Sequence, residues 1–221
     1  MVTFSKETGL LSSVRRGDQV FSLANGPRLT EGTNTLEKIS FAEDGPDLVV
    51  STKWSGNLEK VSWRVNGNGW VDCDYTYSAT GTNNFLGVTF DYPEQNVRHK
   101  RWLGDGPYRV WKNRLRGVSL NVWDNDYNNT ITGYKDWIYP EFKGCFAKVS
   151  WLQLENTEGP ITVINNSSEH AAIPFVQVLT PEYAPTKLLG KAFAPLPECG
   201  LGFLDAIPPI GSKFKAPNAM G

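Results

Sequence analysis

Histidine and cysteine are scarce in this chain, with two of the first and three of the second among 221 residues. Cys73, Cys145 and Cys199 stand far apart with no Cys-x-x-Cys spacing, so zinc and thioredoxin-type chemistry have no support and at most one disulfide can form. Charge of one sign is missing too. The 22 basic residues are balanced by 23 acidic ones, a formal net charge of -1, and no net field draws the chain to nucleic acid or to an anionic membrane surface. Neither partner is expected. No apolar run approaches the roughly 20 residues of a membrane-spanning helix, and mean hydropathy is -0.36. No Gly-rich phosphate loop, metal-ligand cluster or nucleophile elbow is present: Gly104-Asp105-Gly106-Pro107 lacks both the spacing and the following helix that phosphate binding requires. No cofactor and no metal are expected. Met1 is followed by a polar, β-like segment rather than a basic stretch and an apolar run, so no signal peptide is expected there, and localisation stays open.

Strand signals, in contrast, are dense, and helical periodicity is nearly absent. Residues 48–54, 59–65, 70–77, 85–90, 118–123 and 145–154 read as short aromatic or β-branched segments. The clearest hairpin joins 60–65 to 70–77 through Asn66-Gly67-Asn68-Gly69, residue types that tolerate the positive φ of tight turns. On its second strand Val71, Cys73, Tyr75 and Tyr77 share one face, and Asp72, Asp74 and Thr76 share the other, as in a half-buried antiparallel sheet. The 21 glycines and 14 prolines punctuate the whole length instead of marking one linker. One all-β domain over 1–205 is expected, followed over 206–221 by an extended Pro-rich tail or linker.

Glycoside hydrolysis needs two carboxylates held across the scissile bond. The paired acids here, Asp72 with Asp74, Asp124 with Asp126 and Glu155 with Glu158, sit among turn formers and read as solvated loop carboxylates. His99, in the cluster Arg98-His99-Lys100-Arg101, reads as part of a solvated strand edge, and His170 lies in a polar loop. The sequence therefore offers no catalytic residue. What stands out is aromatic content, 12% with eight tryptophans, concentrated at Trp102, Tyr108, Trp111, Trp123, Tyr127, Trp137 and Tyr139. Core packing is one reading of these rings. The other is a concave platform on which sugars stack while Asp, Asn and Arg bind hydroxyls.

Phe85-Leu86-Gly87-Val88-Thr89-Phe90, then Arg101-Trp102-Leu103-Gly104-Asp105-Gly106-Pro107 and Asn113-Arg114, resemble the hallmark region of the C-terminal domain of family 2 β-galactosidases. There a strand with a small Gly precedes Trp-hydrophobic-Gly-x-Gly-Pro-x-Glu-x-Tyr and a nearby Asp-Arg. The opening Phe4 to Ser13, with its Thr-Gly turn, is similar to that domain's start. Tyr139-Pro140-Glu141-Phe142-Lys143-Gly144 and Gly200-Leu201-Gly202-Phe203 match later steps of the pattern. The resemblance runs in order along nearly the whole chain. It implies a supersandwich of two large antiparallel sheets, the galactose mutarotase-like fold, beside a catalytic barrel outside this sequence. The chain departs from the pattern in placing Arg109 and Trp111 where the family has Glu and Tyr. It also lacks the early Arg-x-Pro-x-Asp-x-Asp segment after Gly26-Pro27-Arg28, and it has Leu204-Asp205-Ala206-Ile207 where some relatives carry a tryptophan near the sugar. Galactose specificity does not carry over.

The resulting expectation is a non-catalytic accessory domain of a glycoside hydrolase that packs against the catalytic barrel of a parent chain and binds an oligosaccharide or polysaccharide. Trp102, Tyr108, Arg109, Trp111 and Arg114 are the expected carbohydrate-binding residues, rings for stacking and guanidiniums for hydroxyls or a sugar carboxylate. Alternatively they form a packed loop joining the two sheets, with Gly104 and Gly106 supplying backbone freedom. Two other readings stay open. One is a stand-alone epimerase or polysaccharide lyase on the same fold; the other is a purely structural module, which predicts a large exposed apolar patch.

Overall fold

The computed structural model describes residues 1–126, 144–178 and 200–210. The aromatic residues Tyr127, Trp137 and Tyr139, the segment 139–143, Cys199 and the expected tail beyond 210 lie outside the described residues.

The chain is an all-β sandwich in which, among the described residues, every strand pairing is antiparallel. The strands among the described residues are β1 Val2–Phe4, β2 Leu11–Arg16, β3 Gln19–Phe21, β4 Ala24–Leu29, β5 Asn34–Asp44, β6 Asp47–Gly56, β7 Leu58–Val65, β8 Val71–Tyr77, β9 Leu86–Asp91, β10 Val97–Val110, β11 Ser119–Asp126, β12 Cys145–Asn156, β13 Ile161–Ile164, β14 Ile173–Val178 and β15 Leu201–Ala206. The sheets are unequal. Eleven strands form one, in the order β1-β2-β4-β9-β15-β14-β12-β10-β11 with β3 on β2 and β13 on β12, and β5-β6-β7-β8 form the other. The six expected strands are β6, β7, β8, β9, β11 and β12.

The β7–β8 hairpin forms in the register the sequence sets, with Lys60 opposite Thr76 and Val65 opposite Val71. Its turn closes by Asn66 N–H donating to the Trp70 carbonyl at 2.8 Å, and Gly69 takes φ +95°, which a side chain would strain. Cys73, Tyr75 and Tyr77 pack toward the core, as the alternation requires, whereas Val71, next to the turn, is 37% exposed.

Trp63 on β7 is the ring that reaches across the two sheets. Its indole lies 5.4 Å from Phe4 of β1 and 6.1 Å, edge-on, from Phe90 of β9, which in turn meets Phe203 of β15 at 5.8 Å. A ring of this size removes roughly 150–250 Å² from water, about 4–6 kcal/mol at ~25 cal/mol/Å². Val50, Val61, Val88, Trp102, Phe146, Leu152 and Val176 complete this inter-sheet core.

The large sheet also has a packed outer face. Along its strands successive residues belong to different cores: Phe146, Val176 and Phe203 face the small sheet, while Ala147, Phe175 and Leu204 join Phe85, Val110, Trp111, Cys145, Ile207 and Ile210 on the other side. The first residues of the expected tail are thus packed on the domain. Lys112 N–H donates to the Pro208 carbonyl at 3.1 Å, and the Asn113 side chain both donates to the Ile210 carbonyl and accepts from the Ile210 N–H, each at 3.0 Å.

Replacing Trp63 separates shape from polarity. Its indole N–H has no hydrogen-bond partner among the described residues, so Trp63→Phe keeps most of the ring contact and removes a buried, unsatisfied donor. Trp63→Ala is expected to lose about 3–5 kcal/mol, and Trp63→Phe under half of that, read from urea unfolding midpoints.

Candidate functional site

The segment Trp102-Leu103-Gly104-Asp105-Gly106-Pro107 is the middle of β10, a strand inside the large sheet between β12 and β11, and not a loop joining the sheets. Its glycines supply space, and neither has a positive φ. A Cβ on Gly106 would stand 2.5 Å from the Trp123 ring, and one on Gly104 would stand 3.0 Å from the carbonyls of Ala147 and Lys148. The latter approach coincides with a bulge in β12: Leu103 pairs with Trp151 and Asp105 with Ala147, so four steps of β12 match two of β10.

This placement corrects the expected carbohydrate platform. Trp102 and Trp111 are both 0% exposed, one in the inter-sheet core against Phe146 at 4.3 Å, the other in the core on the opposite face. Neither offers a ring to a ligand. Tyr108 is 37% exposed. Arg114 is half-buried in the tight turn 111–114, donating its N–H to the Trp111 carbonyl at 2.7 Å. Arg109 turns inward, with its guanidinium over the Phe146 ring at 5.2 Å and its buried Nε without a hydrogen-bond partner among the described residues. Trp102 and Trp111 thus lie in different cores, and the five residues form no single surface.

The basic cluster preceding them is also sorted by the strand period. Lys100 is fully buried, donating from Nζ to the Asp126 carbonyl at 3.1 Å. Burial, and then the Arg109 charge, pull Lys100 down to about 6, with Asp126 acting the other way. Burial lowers Arg109 to about 10. His99 and Arg101 take the outer face, where His99 Nε2 lies 2.9 Å from Asp124 and Arg101 lies 4.0 Å from the same carboxylate. This cluster is not a solvated edge, because β11 and β12 flank it. The acids are likewise engaged: Asp72 accepts from Asn66 and Asn166, and Glu158 accepts from the Ser22 N–H and the Tyr92 hydroxyl.

Two surfaces that the sequence did not single out remain. The first is a row on the outer face of the large sheet in which direct cross-strand partners are all apolar: Ile164 of β13 opposite Trp151 of β12, Trp151 opposite Leu103 of β10, and Leu103 opposite Val122 of β11. Ile164 is 51% exposed and Val122 43%, and Leu120 beside them is 66% exposed. Glu155, His99 and Asp126 form a parallel charged row nearby.

The second is a cleft of about 520 Å³ at one end of the sandwich, lined by Glu7, Thr8, Arg28, Asn34, Leu36 and Trp54 among others. The turn after β1 builds one wall. Ser5 N–H donates to the Leu10 carbonyl at 2.9 Å and Gly9 N–H to the Ser5 carbonyl at 2.8 Å, and Gly9, at φ +67°, lies so close to Leu36 and Trp54 that a Cβ would stand 2.7 and 3.0 Å from them. Trp54 is held by its indole N–H donating to Thr52 Oγ1 at 2.8 Å, and its ring stays half-exposed. Arg28 grips Asp91 through both terminal nitrogens, while Asn25 donates to the same carboxylate at 2.7 Å. Asn34 Oδ1 accepts the Leu58 N–H at 2.6 Å, fixing the cleft's other side.

No protein-family model matches the chain, and no curated protein matches its sequence.

Lys100 generates a pH dependence. Between about pH 6 and its unfolded value near 10.4 the lysine is neutral in the folded chain and protonated in the unfolded one. The unfolded state then binds more protons, and the contribution of Lys100 makes stability rise with pH across that window. Lys100→Met, which removes the titrating group, is expected to raise stability at pH 7 and to flatten the increase between pH 7 and 9. Urea midpoints at the two pH values measure both effects; an unchanged slope would contradict the assignment.

Proposed function

We propose that this chain is a non-catalytic accessory domain of a glycoside hydrolase, built like the mutarotase-like C-terminal domain of family 2 β-galactosidases, which docks on a catalytic barrel and contributes to saccharide binding. The observation that carries the reading is the cross-strand row Ile164–Trp151–Leu103–Val122. Four adjacent strands present apolar partners on one solvent-facing surface, extended by Leu120, while the inner faces of β10 and β12 pack into the inter-sheet core. A continuous apolar surface of this kind, rimmed by charged rows, is characteristic of a face covered by another domain. The ordered resemblance from Phe4 to Phe203 supports a glycoside hydrolase as the parent.

The chemistry of the titratable groups supports an accessory role over a stand-alone epimerase or lyase. Such an enzyme wants a histidine acid and a carboxylate base converging on the concave face. His99 is on the outer face, bound between Asp124 and Asp126, and His170 is exposed in the loop after β13.

Docking is measured by adding a family 2 catalytic barrel in trans. Hydrogen exchange at Ser119–Asp126 and Ile161–Ile164 is expected to slow on association. Val122→Asp and Ile164→Asp are each expected to weaken association roughly tenfold or more, since each removes about 1.5–3 kcal/mol of apolar burial. Absent association, or association that both variants leave intact, would contradict the reading.

A further inference from the structure

We infer that the cleft between the Ser5–Leu10 turn, β4 and the β5–β6 strands is a binding site for a neutral saccharide and discriminates against uronic acids. The inference rests on the carbohydrate-binding part of the reading above and adds a location and a ligand class to it.

The volume of about 520 Å³ falls within the range of small-ligand sites. The aromatic in its lining is Trp54 of β6, half-exposed and packed in part against the inter-sheet core, where Thr52 and the Gly9 turn hold it, so the ring is preorganised and loses no rotamer freedom on binding. A pyranose places its C–H face on such a ring while its hydroxyls reach the polar groups around it. Those groups are Glu7 and Thr8 on the turn, Arg28 on β4 and Asn34 on β5.

Charge decides the ligand class. Arg28 is the cation of the cleft, and both terminal nitrogens already engage Asp91, whose second oxygen also takes the Asn25 amide. Its charge is already paired within the chain by a partly exposed carboxylate, while its remaining N–H groups can still donate to hydroxyls. Glu7 adds an exposed carboxylate at the rim. A sugar carboxylate would have to compete with Asp91 for the guanidinium and would meet the like charge of Glu7, and a neutral sugar meets donors and acceptors only.

The test is calorimetric titration of the whole chain with neutral galacto- and gluco-oligosaccharides and with oligogalacturonate of equal length. Thr8→Trp and Asp91→Asn are titrated in parallel, with folding of each checked by its melting curve. Thr8 is exposed, so Thr8→Trp fills the cleft without removing core contacts. Saturable binding of a neutral oligosaccharide is expected, with oligogalacturonate about tenfold weaker or worse. Thr8→Trp should abolish the neutral binding, and Asp91→Asn should raise uronate affinity by freeing Arg28. Uronate binding equal to or tighter than neutral binding in the wild-type chain would overturn the ligand class. Full binding in folded Thr8→Trp would overturn the location. A folded chain that gives no heat with any of these glycans would overturn the site altogether, and with it the carbohydrate-binding part of the proposed function, while the docking reading stands or falls on the association measurement.

Discussion

The contact of Trp63 with Phe4 and Phe90 is the constraint from which the rest of the architecture follows. Four strands cannot cover eleven, so the small sheet must be positioned by a few large contacts, and the row Phe4–Trp63–Phe90–Phe203 provides them across β1, β7, β9 and β15. Once the small sheet is held there, the inner faces of β12, β10 and β9 are buried through Leu152, Trp102 and Val88. The mismatch in strand number then determines which surfaces are left. The end where β5 and β6 overhang the N-terminal turn opens as the cleft at Trp54, and the outer face beyond Ile207 and Ile210 is left as the apolar row.

Much of this was legible in the sequence wherever period and turn chemistry agree. The alternation of Val71, Cys73, Tyr75 and Tyr77, closed by Asn66 to Gly69, specifies a hairpin with one buried face, and that hairpin forms with Cys73, Tyr75 and Tyr77 packed inward, while Val71, next to the turn, stays exposed. The strand β10 was hidden by its own composition. Gly104, Gly106 and Pro107 ordinarily break strands, and Arg98 to Arg101 look solvated, yet the glycines are small because Trp123 and a bulge of β12 press against them. Burial of Lys100 was legible only in register, since it shares parity with Trp102 and depends on β11 and β12 flanking it.

Trp102 and Trp111 show why aromatic content alone locates no binding site. Two rings nine residues apart looked like neighbours on one platform, but the strand carries them to opposite cores. The rings and charges that remain accessible come from segments distant in sequence, Trp54 with Arg28 and Glu7, and Ile164 with Val122, which only the pairing of strands brings together. Asn113 shows the same dependence: its amide is unremarkable as sequence and becomes the clasp of residues 207–210 only when β10 and β15 lie in one sheet.

Trp102 and Trp111 serve as framework, and under the proposed function recognition falls to the cleft at Trp54. The most direct measurement of this division is a ¹H–¹⁵N spectrum of the indole N–H groups as a neutral oligosaccharide is added to the chain. The account predicts that the Trp54 signal moves while those of Trp63, Trp102 and Trp111 hold still. Movement at Trp102 or Trp111 with Trp54 unchanged would contradict it.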